Sequence, residues 1–182
     1  MNILIIVDPQ NDFITGTLPV AEANQAMNRL AKSLQDIDVA HIFVTMDCHP
    51  IKHMSFEAQG GPWPPHCMKY SEGAAIWSPL FEALLQHSAE IHFIEKGTQV
   101  DKEEYSAFEQ SYPQEMKEAE KVYLCGIAGN VCVLNSLRDL SEHGFCEKLV
   151  VIQDASPSLD DGSALMEMIQ KTGVRVIKLE NI

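Results

Sequence analysis

Short runs of consecutive apolar residues alternate along the chain with stretches in which apolar positions recur every three or four residues. The first run, Ile3 to Val7, reads as a strand buried on both faces. Ala23, Ala26, Met27, Leu30, Leu34 and Ile37 then follow helical spacing and predict an amphipathic helix. His41 to Met46 predicts a second strand, Pro79 to His87 a helix, and Ile91 to Ile94 a third strand. Residues 113–119 allow a short helix before the strand Val122 to Cys125. A helix from Asn130 to His143, stopped by Gly144, leads to a strand over Leu149 to Ile152. Gly162 to Lys171 and Val174 to Ile177 supply the last helix and the last strand. The Pro/Gly-rich excursion from Cys48 to Gly73 is too long for an ordinary connection and marks a functional loop.

Six apolar strands separated by helices predict a three-layer α/β/α fold around a mostly parallel six-stranded sheet. With 182 residues, 46% of them hydrophobic, the chain supports one compact domain spanning 1–182. The composition then narrows the partners. Net charge is −13, from 26 acidic against 13 basic residues, which argues against nucleic acid and anionic membrane surfaces. The opening Met1 to Asp8 lacks the basic start of a signal peptide, and no segment approaches the ~20 apolar residues of a membrane helix. Five cysteines without compact pairing suit reduced thiols in a cytoplasmic protein.

Parallel sheets of this kind gather ligands at the carboxyl ends of their strands. Asp8, Asp47, Lys96, the segment Gly126 to Cys132, and Asp154 all fall just past predicted strands. Cys132 stands where a helix begins, so unpaired N–H groups and the helix dipole are expected to favour its thiolate. Asp8 is placed to take the thiol proton, and Lys96 to stabilise both anions. No histidine occupies a comparable position, which argues against a Cys–His pair. Such a trio fits acyl transfer through a thioester, with backbone N–H groups around Ala128 to Cys132 as oxyanion donors.

A second cluster lies nearby. Asp47 and His49 sit two apart, so an extended backbone points both to one side, and His66 follows a stiff Trp63-Pro64-Pro65 segment. Two imidazoles and a carboxylate suit Zn²⁺, Fe²⁺ or Mn²⁺ and leave positions open. His53, Ser55 and Glu57 are additional candidate ligands. The other histidines, His41, His87, His92 and His143, read as strand or helix-surface residues without a ligand role.

These blocks together resemble the nicotinamidases (pyrazinamidases) of the isochorismatase-like cysteine hydrolase superfamily. The resemblance rests on Val7-Asp8-Pro9-Gln10-Asn11-Asp12-Phe13, Asp47-Cys48-His49-Pro50, Trp63-Pro64-Pro65-His66-Cys67, Glu95-Lys96-Gly97, Tyr105-Ser106-Ala107-Phe108 and Gly126-Ile127-Ala128-Gly129-Asn130-Val131-Cys132-Val133, in that order. It implies hydrolysis of nicotinamide to nicotinate and ammonia in NAD salvage, with activity on pyrazinamide. Cys132 would be the nucleophile, Asp8 the proton acceptor and Lys96 the third catalytic member. The backbone N–H groups of Ala128 and Cys132 would hold the oxyanion beside a cis peptide at Ile127-Ala128. Asp47, His49 and His66 would hold one divalent metal ion, zinc before iron or manganese. Phe13, Trp63 and Tyr105 would wall the ring pocket. The chain departs from the family at Cys48, where the metal motif often carries Trp, and at Gly129-Asn130-Val131, where Thr-Asp-Tyr is common. An amidohydrolase acting on another amide or on a carbamoyl compound is the alternative, and a chain of this size is compatible with a homo-oligomer.

Overall fold

The computed structural model describes all residues from Met1 to Ile182. Six strands run β1 (Asn2–Val7), β2 (His41–Asp47), β3 (Glu90–Lys96), β4 (Lys121–Gly126), β5 (Leu149–Ile152) and β6 (Arg175–Ile177). They pair in the order β3-β2-β1-β4-β5-β6, every pair parallel. The helices are α1 (Asn11–Ile14), α2 (Ala23–Ser33), α3 (Ser78–Gln86), α4 (Leu134–Glu142) and α5 (Ser163–Thr172).

The alternation of β1 explains the layers. Leu4 and Ile6 point into a core shared with Met27 and Leu30 of α2 and Leu80 and Leu84 of α3. Ile3, Ile5 and Val7 point the other way, against Leu137 and Leu140 of α4 and Leu165 and Ile169 of α5. A central strand must be apolar at every position because both of its faces are covered, and all five residues from Ile3 to Val7 are fully buried.

The structure adjusts several predicted elements. The 113–119 segment forms only a 3₁₀ turn at Gln114–Lys117, and the helix expected from Asn130 begins instead with a wide π-type turn, Gly129–Val133, ahead of α4. Helix α1, a single turn, has too few residues to show a period and was not expected. The expectation of strands covered on both faces fails for β3 and β6. These are the sheet edges, and Phe93 and Val176 are exposed. Between residues 48 and 73 the chain makes no α-helix, only the 3₁₀ turn Glu57–Gln59.

From β1 the sheet grows in one direction through β2 and β3, and from β4 in the other through β5 and β6. The carboxyl ends of β1 and β4 therefore flank the point where the strand order reverses, which is where open sheets of this type hold ligands. Gly126 ends β4 at φ 128°, and a Cβ there would collide with the Val7 backbone, so the two strands approach at a place only glycine permits.

Candidate active site

Asp8 leaves β1 in the left-handed region at φ 46° and is fully buried. Its Oδ1 accepts a 2.6 Å hydrogen bond from Thr45 Oγ1, which holds the carboxylate still. Lys96, at the end of β3, is also buried, and its Nζ lies 2.8 Å from Asp8 Oδ2, 2.5 Å from Asp47 Oδ1 and 3.6 Å from Cys132 Sγ. Asp8 Oδ2 is buried without an aligned hydrogen bond and lies, with Asp47 and Cys132, in a group of donor atoms all within 4.8 Å of one another. The structure thus brings together the three groups that the sequence places 8, 96 and 132 residues along the chain.

The electrostatics follow from burial and pairing. Burial works against the Lys96 ammonium, but the flanking Asp47 and Asp8 carboxylates outweigh it and raise its pKa well above that of a free lysine. Asp47 is driven down despite its burial, because Lys96 and His49 both favour its anion. Burial raises Asp8, with Lys96 pulling in the opposite direction, so Asp8 is a stronger base than a free carboxylate. For Cys132 the outcome reverses the expectation drawn from the helix start. Burial, with the Asp8 and Asp47 carboxylates adding to it, pushes the thiol well above its ordinary value despite Lys96. The resting group is a thiol facing a base.

The metal-type cluster occupies the adjoining wall. His49 Nδ1 donates to Gly97 O at 2.9 Å and His66 Nδ1 donates to Pro64 O at 2.8 Å. Both imidazoles therefore turn an Nε2 lone pair inward, 3.5 Å and 3.9 Å from Asp47 Oδ2. Oriented rings with Nδ1 tied to backbone carbonyls are the supporting arrangement metal-binding histidines adopt, so the donor set fits a divalent cation. Burial opposes charge on His49 but Asp47 prevails and raises it, whereas burial lowers His66. None of the additional ligand candidates joins the group. His53 spends Nδ1 on Ser55 and Nε2 on Lys102 O while stacking on His49 at 4.1 Å, and Glu57 is exposed. Asp154 is elsewhere too, accepting from the Leu179 N–H.

Between these walls lies a mostly apolar pocket of about 390 Å³, counted to its open mouth, with Phe13, Trp63, Tyr105, Ala128 and Cys132 in its lining. Trp63 Nε1 donates to the Tyr105 hydroxyl at 3.2 Å, linking two aromatic walls. The Ile127-Ala128 peptide is cis, and the Ala128 N–H makes no protein hydrogen bond. A larger groove of about 1030 Å³ between α2 and α5 is rimmed by Glu22, Asp154, Asp160 and Asp161 and holds no cysteine or histidine.

The sequence of residues 2–181 matches the model of the isochorismatase domain. The chain belongs to the isochorismatase family. Among its solved relatives, a pyrazinamidase of Pyrococcus horikoshii in complex with zinc is 31% identical, with a TM-score of 0.82 over 97% of this chain and 98% of that one. PnC1 from L. infantum, in complex with nicotinate, is 30% identical with a TM-score of 0.84, covering 99% and 93% of the two chains. The nicotinamidase of Saccharomyces cerevisiae is 26% identical over 94% of each chain.

Sequence reasoning missed the supports of this isochorismatase-family site. Gln10 is wholly buried and clamps β2, donating from Nε2 to Asp47 O and accepting the Asp47 N–H at Oε1, both at 2.8 Å. Asp12 Oδ2 accepts the Cys67 N–H at 2.7 Å and so anchors the loop that carries His66. The available signal was the polar run Asp8-Pro9-Gln10-Asn11-Asp12 placed directly after the apolar first strand. Leu18, Val20, Glu103, Val131 and Leu159 complete the pocket lining and carry no sequence signal of their own.

Proposed function

We propose that the protein is a nicotinamidase, a single hydrolase domain over residues 1–182 that converts nicotinamide to nicotinate and ammonia in NAD salvage and also accepts pyrazinamide. The observation that carries this reading is that Cys132, with Lys96 and Asp8 gathered behind it, lines the same pocket as Asp47, His49 and His66. The pocket walls Phe13, Trp63 and Tyr105 suit an aromatic ring.

Cys132 Sγ attacks the amide carbon while its proton passes to Asp8, whose burial makes it a better acceptor. The carbonyl oxygen becomes an anion against the backbone N–H groups of Ala128 and Cys132. Asp8 then returns the proton to the amide nitrogen, the C–N bond breaks and ammonia leaves a thioester on Cys132. Water adds to that thioester, giving its proton to Asp8, and the C–S bond breaks to release nicotinate and restore the thiol. Lys96 stays charged throughout and balances whichever of Asp8 and Cys132 is anionic. Asp47, His49 and His66 would hold one divalent cation, zinc before iron or manganese, which supplies a Lewis-acid anchor for the pyridine nitrogen. Five free cysteines suit a reducing, cytoplasmic setting.

Ammonia release from nicotinamide by the purified protein tests the reading. Activity should disappear on chelation, return with added zinc, and fall by at least about 10⁴-fold in Cys132→Ala. No turnover by the reduced, zinc-supplemented enzyme would reject nicotinamide as substrate.

A further inference from the structure

We propose that His41, His92 and Glu90 form a second divalent-cation site, at the opposite end of the sheet from Cys132. The strand register builds it. His41 pairs with Glu90 and Phe43 with His92 across β2 and β3. Side chains two apart on a strand share a face, so both histidines and Glu90 project from the same side. His41 Nδ1 and His92 Nε2 come within 3.2 Å. Two imidazole nitrogens about 2.0–2.1 Å from one tetrahedral ion stand roughly 3.3 Å apart, so the spacing is that of a shared ion. Glu90 reaches both rings, Oε2 lying 3.7 Å from His41 Nδ1 and Oε1 3.7 Å from His92 Nε2. It pairs with no Lys or Arg.

The rings are also held in place. His92 stacks on Phe43 at 4.5 Å and 13°, and His41 flanks the same ring at 6.2 Å. Ligands fixed before binding lose little freedom when an ion arrives, which favours affinity. Two imidazoles and a carboxylate suit a borderline first-row cation such as Zn²⁺, and the exposed Glu90 side opens its remaining positions to water. The position has structural logic. β3 is an edge strand paired only with β2, and one ion would clip the two together. Asp47 pairs with Lys96 six residues further along, about 20 Å away, so the two sites are separate.

Zinc per chain, measured by equilibrium dialysis of the full-length protein, decides between an ion and a plain N–H···N hydrogen bond joining the rings. His92→Ala and His41→Ala should each bind one zinc ion fewer than wild type, while Asp47→Ala, altered only at the other cluster, keeps the edge ion. Glu90→Gln, an exposed substitution, should weaken the edge ion by about tenfold or more. His92→Ala should keep the ion of the Asp47 cluster, which also shows that it folds. Equal zinc content in wild type and both histidine variants would overturn the site, whatever the substrate of the enzyme proves to be.

Discussion

Asp8 and Cys132 show how far the surroundings move a residue from its ordinary chemistry. The thiol is not pre-ionised, so its reactivity depends on a base in position at the moment of attack. Asp8→Asn keeps the size and the Thr45 contact but cannot take the proton. Its kcat/KM should fall by about 10²–10⁴-fold, with zinc content unchanged. Gly97 is the corresponding lever on the other wall. It sits at φ 64°, its carbonyl orients His49, and a Cβ there would run into the His49 ring. Gly97→Ala should weaken zinc binding at the Asp47 cluster by about 10–100-fold, read by competition with a chromophoric chelator. The six principal side chains were legible in the sequence because each follows a strand or stands in a stiff loop. The state of Cys132 was not, since burial is a property of the fold, and the dipole argument counted only the helix. His41 and His92 were passed over for a similar reason, because their meeting depends on the register of two strands.

Among the elements, the strands were readable as short consecutive apolar runs, and α2 to α5 because their apolar positions repeat over enough residues to fix a period. The exceptions are instructive. Helix α1 spans barely one turn, too little for a period to repeat, and the π-type turn at Gly129–Val133 is a local widening that no periodicity announces. Cys132 lies within this turn and lines the pocket. Helix α2 has a simpler task. Ala23, Ala26, Met27 and Leu30 are buried at three- and four-residue steps in the core against the sheet, and none of them lines the pocket. Leu30→Ala should therefore cost about 2–5 kcal/mol and lower Tm by roughly 5–15 °C, with KM for nicotinamide unchanged. A changed KM would mean that α2 is coupled to the pocket.

Over the whole molecule, one topological fact organises the rest: both cores are draped on β1, and the strand order reverses beside it. The reacting groups come from distant parts of the chain, with Asp8, Asp47, His49 and His66 before residue 88 and Lys96 and Cys132 after it. Ser88 lies in the exposed link between α3 and β3, where a break would interrupt no helix or strand. Cutting the chain there would divide the machinery so that one fragment holds the base and the metal donors and the other holds the nucleophile and its lysine. Neither fragment alone should release ammonia, and mixing them should restore turnover only as β3 and β4 find their places beside β2 and β1. The interleaved sheet order would then make this enzyme a two-part lock, silent in halves and reporting by its own product when the halves meet.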